Sequence, residues 1–303
     1  MSCSLKVDRA GPLCTVQDGG RPNLLAHGIS ASGPMDIGAH RLAGTLAGAC
    51  DETGIEFTRA GLDLQVESGG LFAGWAGGAF EVRVNGEHRP WPGVGRLAAG
   101  DRLNIMPGAA GNYGYLRFNK VLDLPMVLGS RATSTRARLG GLEGRALRAG
   151  DVLRFAGEGG HVQSVVPPNQ AADCAGAIRI TWGIHADRFA AETRRNFVGT
   201  PFRVTNAMDR MGVRLADEKG VFAGSSILSL ISDPILPGDV QILGDGTPIV
   251  LMRDHQPTGG YPRIGTIISA DLDRFAQMRP GEEVVFVPVS VDHAHRLMRS
   301  AKP

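Results

Sequence analysis

Thr247-Pro-Ile-Val-Leu-Met252, Asp254-His-Gln-Pro-Thr-Gly-Gly-Tyr-Pro262 and Ile264-Gly-Thr-Ile-Ile-Ser269 follow one another in the second half of this 303-residue chain. The outer two segments are rich in branched apolar residues, which is typical of buried β-strands. The nonapeptide between them holds two glycines and a closing proline, which favours a connection of one fixed shape. The stretch therefore predicts two core strands joined by a rigid polar loop, which is either a binding loop or an ordinary hairpin turn.

Composition limits the class of protein. Glycine accounts for 43 of 303 residues without a three-residue period, which indicates many tight turns. A hydrophobic content of 43% is enough for one large core or two smaller ones. The net charge of +2 is too small to indicate nucleic acid or an anionic membrane as partner, so we expect neither.

Targeting and metal-binding signals are missing from these residues. The N-terminus has no basic segment followed by an apolar one, and no 18 apolar residues run together, so we expect a cytoplasmic protein. The cysteines stand far apart, without a Cys-x-x-Cys pair: Cys3, Cys14, Cys50 and Cys174. Such spacing predicts reduced thiols and no metal site.

Strand signals dominate from residue 54 to residue 155. Asn85-Gly86 lies between two alternating segments and predicts a tight hairpin. A second signal recurs, in which a turn leads through Gly-Asp or Gly-Glu into a strand: Gly100-Asp101, Gly150-Asp151, Gly238-Asp239 and Gly281-Glu282. Because the signal occurs in both halves, it indicates two related β-units, although turn chemistry alone could also generate it.

A glycine- and proline-rich stretch at residues 157–176 is the best candidate for the boundary between the halves. We therefore expect an N-terminal unit over residues 1–165 and a C-terminal unit over residues 176–303. The fold class predicted is mostly β, as two tandem units with a few short helices. One helix is expected from Asp36 to Cys50, one from His185 to Phe197 and one from Val291.

The first candidate site lies around Gly19-Gly20. Gln17, Asp18 and Arg21 place an amide, a carboxylate and a guanidinium beside one tight turn, where Arg21 can hold a carboxylate or a phosphate. The alternative is that Asp18 and Arg21 pair with each other and serve structure alone.

Two further groups of polar residues accompany turns. Ser32 lies just before the expected helix start, where it binds an anion or caps the helix. Asp209, Arg210 and Arg214 concentrate charge beside a glycine, which favours either a binding loop or an exposed turn with local ion pairs.

Several familiar chemistries lack their motifs in these residues. The phosphate loop, the dinucleotide-binding Gly-x-Gly-x-x-Gly, the His-Glu-x-x-His zinc motif and the Gly-x-Ser-x-Gly nucleophile motif do not occur. The nearest histidine pair, His293 and His295, is spaced two apart on a predicted helix, where the side chains diverge. We expect both histidines on the surface.

Five polar segments, taken in order, resemble those of the biotin-dependent carboxyltransferase domain family, which includes the C subunit of 5-oxoprolinase, KipA and the second of the allophanate hydrolase subunits. They are Thr15-Val-Gln-Asp-Gly-Gly-Arg21, Gly28-Ile-Ser-x-Ser-Gly-x-Met-Asp36, Gly140-Gly-Leu-Glu-Gly-Arg-x-Leu147, Asp209-Arg-Met-Gly-Val-Arg-Leu215 and Asp254-x-Gln-x-Thr-Gly-Gly-Tyr-Pro262. The similarity covers almost the whole chain. It departs from the family at Pro257, where a threonine is usual, which bears on the substrate more than on the fold.

The resemblance implies two cyclophilin-like β-barrels and an enzyme of several different chains. The expected function is that of one component of an ATP-dependent 5-oxoprolinase, which acts with a KipI-like B subunit and the A subunit of that enzyme on a small amide or lactam, and is inactive alone. ATP would then act through the assembled complex. A urea carboxylase-like carboxyltransferase and a KipA-like regulatory partner of a kinase inhibitor are the alternatives. Since the chain holds no biotinyl-lysine motif, biotin would take part only if another protein supplied it.

A mechanism follows for the interpretation as part of an enzyme. Arg21 and Arg210 are candidates to neutralise a carboxylate or a transferred phosphate, and Asp18 and Asp254 to accept or orient a proton of the amide nitrogen. The remaining candidates would supply substrate-binding contacts: Gln17, Ser32, Asp209, Arg214, Gln256, Thr258 and Tyr261. We expect the charged groups to meet around one cleft, and local ion pairing is the alternative.

Overall fold

The computed structural model describes residues 3–157, 159–160, 176–224 and 230–300, and the chain divides into two compact units. Unit 1 extends to Pro22 and resumes at Ala31. Asn23–Ser30 group with unit 2, which otherwise consists of the C-terminal half. The predicted boundary at residues 157–176 lies largely outside the described residues, so the division at residues 165 and 176 stays a prediction.

Unit 1 is built on a sheet of ten strands among its described residues. They are β1 (Cys3–Ala10), β2 (Thr15–Gln17), β3 (Gly54–Thr58), β4 (Leu62–Ser68), β5 (Gly70–Val84), β6 (Glu87–Arg89), β7 (Gly93–Ala98), β8 (Arg102–Phe118), β9 (Val121–Leu122) and β10 (Val152–Ala156). The strand order is β2-β3-β8-β4-β1-β10-β9, and β5 pairs with β6, β7 and β8. The longest strand pairing in the unit is the antiparallel pair of β5 and β8. Its side chains Trp75, Tyr115 and Phe118 are buried.

Helix α1 (Ile37–Ala47) packs against β5 and β8. The sequence predicted its start, and Asp36 is the N-cap residue, whose carboxylate accepts a hydrogen bond from Ala39 N at 2.8 Å. A buried polar network fixes the approach to the helix. Glu56 Oε2 accepts from Met35 N at 2.7 Å and from the Tyr115 hydroxyl at 2.8 Å, and the Tyr115 oxygen accepts from Asp36 N at 2.8 Å.

The repeated Gly-Asp and Gly-Glu turns share one geometry. Gly100, Gly150, Gly238 and Gly281 have φ of 93°, 92°, 93° and 92°, in the region that favours glycine. Each glycine N–H donates to a strand carbonyl, at 2.7–2.8 Å, and these carbonyls belong to Val66, Val7, Leu251 and Val204. Three of the acidic side chains accept from the backbone three residues earlier, at 2.8–2.9 Å. The sequence signal therefore marks one turn that is used twice in each unit.

Unit 2 holds an eight-stranded sheet and a two-stranded sheet among its described residues. Its strands are β11 (Ile178–Trp182), β12 (Phe202–Met208), β13 (Gly212–Ala216), β14 (Asp233–Pro234), β15 (Asp239–Ile242), β16 (Pro248–Leu251), β17 (Thr258–Gly259), β18 (Arg263–Ile267), β19 (Glu283–Val284) and β20 (Phe286–Pro288). The larger sheet has the order β19-β12-β13-β16-β15-β18-β11-β20. The helices are α2 (Ala191–Gly199), α3 (Ser269–Ala276) and α4 (Val291–Ser300).

Phenylalanine rings fill the core of unit 2. Phe197 stacks on Phe286 with a centroid distance of 5.0 Å, and Phe202 stacks on Phe222 at 6.0 Å. The helix expected over His185–Phe197 is divided, because a short 3₁₀ turn at Ala186–Arg188 precedes α2. Phe189 and Phe197 are both buried.

The predicted fold class is confirmed, since the chain is mostly β with two barrel-like units and a few short helices. The Asn85-Gly86 hairpin is also present, with Val84 paired to Glu87 and φ positive at both turn residues. Among the described residues, no helix is long and apolar enough to cross a bilayer.

Gly74 on β5 tests how tightly α1 and the sheet pack. A Cβ at this position would collide with the carbonyl oxygen of Ala43 and lie 2.6 Å from Ala47 N, both helix backbone atoms. Because backbone cannot yield as a flexible side chain does, Gly74→Ala is expected to lower the free energy of unfolding of unit 1 by about 1–3 kcal/mol. Urea unfolding with hydrogen exchange measures this effect.

Gly199→Ala is the matched control, since a Cβ there meets no atom within 4 Å. Equal stability of the two variants would contradict the close helix–sheet packing.

Candidate functional site

Asp18 fixes a loop of unit 1. Its Oδ1 accepts from Gly20 N at 2.8 Å and from the Ser130 hydroxyl at 2.5 Å, and its Oδ2 accepts from Arg131 N at 2.5 Å. The residue is buried. Three protein donors on one carboxylate are the arrangement of an anchoring group, which joins the Gly19-Gly20 turn to the segment around Ser130.

Arg21, at the other end of the turn, donates hydrogen bonds to the same segment around Ser130. Its Nε donates to Val127 O at 2.9 Å, and its Nη2 donates to Ser130 O at 3.2 Å and Ala132 O at 2.5 Å. The side chain is 1% exposed. Asp18 and Arg21 therefore both hold the segment Val127–Ala132, through contacts with residues more than a hundred positions along the chain.

Gln17 and Ser32 complete this cluster. Gln17 Nε2 donates to Thr133 O at 3.2 Å, and Gln17 Oε1 accepts from Gly33 N at 3.0 Å, so this buried amide joins two loops. Ser32 is buried with φ of 57°, and its hydroxyl finds no hydrogen-bond partner among the described residues. The structure thus brings four of the predicted site residues of unit 1 into one region.

Beside this cluster lie two buried groups that the sequence analysis missed. His40 on α1 contacts Arg117 on β8, with Nδ1 3.2 Å from Nη1. Burial and the Arg117 charge lower the pKa of His40 to about 3, so the imidazole is neutral. Burial also lowers the pKa of Arg117. The sequence signals are weak, because His40 interrupts the small-residue stripe of a helix and Arg117 occupies one position in an apolar strand.

In unit 2 the candidates Arg210 and Asp254 form a buried ion pair. Arg210 Nε lies 2.8 Å from Asp254 Oδ2, and Nη2 lies 3.2 Å from Oδ1. The backbone repeats the contact, since Asp254 N donates to Arg210 O at 2.7 Å. With side chains 4% and 7% exposed, the pair joins the turn after β12 to the loop after β16.

The loop over residues 254–262 contains a short strand that was not predicted. Within it, β17 pairs with β14, matching Thr258 with Pro234 and Gly259 with Asp233. A Cβ on Gly259 would lie 2.5 Å from Nε2 of the buried Gln241, which shows how closely the loop backbone approaches the barrel. His255 is also buried, and burial lowers its pKa. The predicted rigid polar loop is thus anchored on both sides.

The remaining candidates of unit 2 lie nearer the surface. Asp209 is exposed, and its carboxylate accepts from Met211 N and Gly212 N at 2.7 and 3.1 Å, so it shapes a turn. Gln256 is half-buried, Thr258 is exposed and Tyr261 is 39% exposed, which leaves these loop side chains accessible. Arg214 is exposed on β13.

A second set of charged side chains in unit 2 joins Arg263, the residue after the 254–262 loop, to β14 and β15. Arg263 contacts Asp233 at 2.7 Å and the buried Asp239 at 3.2 Å. His185 Nδ1 accepts from Arg263 N at 3.3 Å, and burial lowers the pKa of His185. Sequence reasoning missed this group because its members belong to four separate segments.

The chemistry available to the described residues is that of hydrogen bonding and charge. No three His, Cys, Asp or Glu side chains among them are grouped so as to hold a metal ion. The candidates form two clusters, one in each unit. Buried guanidinium and carboxylate groups shape the loops of both clusters, and half-buried or exposed polar side chains on the 254–262 loop remain available to a substrate.

Comparison with known proteins gives the class first. The family model described as carboxyltransferase domain, subdomain A and B, matches residues 27–288. The match extends over most of both halves, and the chain therefore belongs to this carboxyltransferase-domain family, which confirms the family resemblance.

Particular relatives follow. The chain is 35% identical to the C subunit of 5-oxoprolinase from Escherichia coli, over 96% of this chain and 93% of that protein. It is 33% identical to the corresponding C subunit from Haemophilus influenzae, over 94% of this chain and 91% of that protein. The solved structure of K. lactis urea amidolyase superposes with a TM-score of 0.86 at 25% identity, and covers 98% of this chain but only 19% of that much longer one.

A double-mutant cycle tests the Arg210–Asp254 pair. Asp254→Leu removes the carboxylate that Arg210 contacts at 2.8 Å, and Arg210→Met removes the guanidinium that Asp254 contacts, so we expect each single substitution to lower the free energy of unfolding of unit 2 by about 3 kcal/mol or more. Arg210→Met combined with Asp254→Leu removes both charges and is expected to recover much of this loss. Urea unfolding with hydrogen exchange on unit 2 amides gives the coupling.

Glu218→Gln provides the control, since it breaks an exposed pair with Arg203 and is expected to change stability very little. If the two single substitutions at Arg210 and Asp254 were additive in the double variant, the pair would not be coupled.

His40 gives unit 1 a pH dependence. Above pH 6.5 the imidazole is neutral in the folded and unfolded chains, so it contributes no slope. Between pH 6.5 and about 3 only the unfolded chain binds the proton. The free energy of unfolding therefore decreases by up to about 1.4 kcal/mol for each unit by which the pH is lowered. His40→Gln should flatten this dependence, and unfolding measured from pH 4.5 to 7.5 checks it.

The exposed His88 supplies the control, since His88→Gln should retain the wild-type slope. Identical slopes for wild type and His40→Gln would show that His40 is not the group that titrates.

Proposed function

We propose that this chain is the C subunit of an ATP-dependent 5-oxoprolinase. Its sequence identity to the E. coli protein of that name, along nearly the whole of both chains, carries the proposal. The fold supports the proposal in a general way, since two β-units with rigid polar loops suit the binding of a small amide or lactam.

The partners belong to the same proposal. A KipI-like B subunit and the A subunit of 5-oxoprolinase complete the enzyme, ATP acts in the assembled complex, and the chain alone is inactive. The complex activates the lactam as a phosphorylated or carboxylated species before the ring opens. The chain contributes one half of the site, where backbone and neutral side chains bind the substrate.

The residues divide into two roles under this proposal. Gln256, Thr258 and Tyr261 on the 254–262 loop bind the substrate, because they combine accessible polar groups with an anchored backbone. The Arg210–Asp254 ion pair fixes the loop geometry in unit 2. Asp18 and Arg21 fix it in unit 1 through their hydrogen bonds to the segment Val127–Ala132. The expectation that the charged candidates meet around one cleft stays a prediction, which a measured distance between Asp18 and Asp254 would test.

A urea carboxylase-like carboxyltransferase is the second candidate. The close superposition on K. lactis urea amidolyase favours it. In that case biotin arrives on another protein, and the same loops receive the carboxyl group and pass it to urea.

Reconstitution distinguishes the two functions. The purified chain is mixed with a KipI-like B subunit and an A subunit of 5-oxoprolinase, and glutamate release is measured from 5-oxoproline with ATP. Activity is expected only from the complete mixture. Urea-dependent ATP consumption when a biotinylated carrier, a biotin carboxylase and bicarbonate are added, and none with 5-oxoproline, would favour the second candidate. ATP-dependent lactam opening by the single chain would contradict the need for partners.

Variants of the loop test the role of its side chains. Thr258→Ala and Gln256→Ala are expected to reduce kcat/KM of the reconstituted complex by about tenfold or more, because each removes a hydrogen bond to substrate without unfolding an exposed loop. Thr193→Ala on α2 is the matched control and should leave activity unchanged. Full activity of both loop variants would remove the loop from the proposed site.

A further inference from the structure

His185 lies between the end of the 254–262 loop and the strand that pairs with its middle. The Nδ1 atom of His185 accepts a hydrogen bond from the backbone N–H of Arg263, the residue directly after the loop, at 3.3 Å. The Nε2 atom lies 3.6 Å from Oδ2 of Asp233. Asp233 belongs to β14, where it is matched with Gly259 of β17 inside the loop. One imidazole ring therefore contacts two of the elements that give the loop its shape.

The side chain of Arg263 strengthens the same connection. Its Nη2 lies 2.7 Å from Oδ1 of Asp233. Its Nη1 donates to Pro234 O at 2.8 Å and to Asp239 Oδ2 at 3.2 Å. Arg263 and Asp239 are both buried. The position of β14, and with it the paired β17, thus depends on the residue whose backbone N–H is bonded to His185.

The contacts of His185 fit a neutral ring. A ring nitrogen that accepts a hydrogen bond carries no proton, so the proton of the neutral ring is on Nε2, on the side of Asp233. A second proton would set N–H against N–H at Arg263. The charged groups that act on the ring are the carboxylates of Asp233 and Asp239 and the guanidinium groups of Arg263 and Arg188. Burial, supported by the two arginines, lowers the pKa of His185.

We propose that His185 is a positioning residue for the 254–262 loop, and that protonation of its ring loosens the loop and weakens substrate binding below neutral pH. His185 acts through the Arg263 N–H and through Asp233, and does not touch the substrate itself. The inference deepens the proposed function and rests on it in one respect, namely that the loop binds the substrate.

The direction of the pH effect follows from the contacts. Above pH 6.5 the ring is neutral whether the loop is held or loosened, so the pH has no effect there. In the loosened state the pKa of His185 returns toward about 6.5, whereas burial lowers it in the held state. Below pH 6.5 the loosened state therefore binds the proton first, and the held state loses stability as the pH is lowered.

Hydrogen exchange of the full chain, without ATP or partners, measures the loop directly. The protection of the amides in residues 254–263 is compared at pH 7.5 and pH 5.5, after correction for the intrinsic pH dependence of exchange. We expect wild-type protection to fall by about three- to tenfold at the lower pH, which corresponds to the loss of one neutral hydrogen bond. Equal wild-type protection at the two pH values would overturn the proposal.

Two substitutions assign the effect to the ring. His185→Asn places an amide oxygen near the position of Nδ1, which accepts a hydrogen bond and does not titrate, so high protection is expected at both pH values. His185→Leu has no acceptor and should show the reduced protection at both. His88→Asn, on the exposed β6, is the control and should keep the wild-type pH dependence.

His185→Asn decides the outcome even if the leucine variant fails to fold. A pH dependence in His185→Asn equal to that of wild type would assign the titration to another group, such as the buried His255 on the loop, and would overturn the proposal.

Kinetics of the reconstituted complex connect the loop to the substrate. Between pH 7.5 and pH 5.5 the wild-type KM for 5-oxoproline should rise by about three- to tenfold relative to that of His185→Asn, while kcat changes equally in both. Equal changes in KM would overturn the positioning role. If the complex does not open 5-oxoproline at all, the proposed function fails, and the exchange measurement still decides whether His185 holds the loop.

Discussion

Arg21 sets the constraint around which the loops of unit 1 are arranged. A buried guanidinium must be met by acceptors, and those of Arg21 are carbonyl groups of the segment Val127–Ala132. Gly140 follows from the same demand, because a Cβ there would collide with Nη2 of Arg21 and with Ala132 O. The motif that ends at Arg21 and the motif that begins at Gly140 are therefore packed closely together, and Asp18 provides a second set of hydrogen bonds to the same region.

In unit 2 the buried guanidinium of Arg210 is met by a carboxylate, whereas that of Arg21 in unit 1 is met by carbonyl groups. The motif that contains Arg210 and the motif that begins at Asp254 meet through one buried pair, and the paired strands β14 and β17 hold the other side of the loop. Charged residues that look like catalytic groups in the sequence thus serve first to fix loop shape. The neutral side chains of Gln256, Thr258 and Tyr261 on this loop remain accessible to a ligand.

The sequence predicts the local features well, and physical reasons explain where it fails. Glycine with positive φ followed by an acid gives the same turn wherever it occurs, so the four repeated turns and the Asp36 cap are readable from short segments. Glu56 and Arg117 are different, because each occupies a position in an apolar strand and its meaning depends on a partner far along the chain. The alternation of a strand shows that a residue faces inward, but it carries no information about what that residue will meet.

The pairing of β1 with β10 has a consequence for synthesis on the ribosome. Cys3 lies opposite Phe155, so β1 leaves the ribosome long before β10 and lacks this neighbour until nearly the whole of unit 1 has been made. The partner on its other edge, β4, arrives much earlier. An open strand edge invites pairing with other nascent chains, and charged side chains discourage it. Lys6, Asp8 and Arg9 on the more exposed positions of β1 give this strand such protection while it waits.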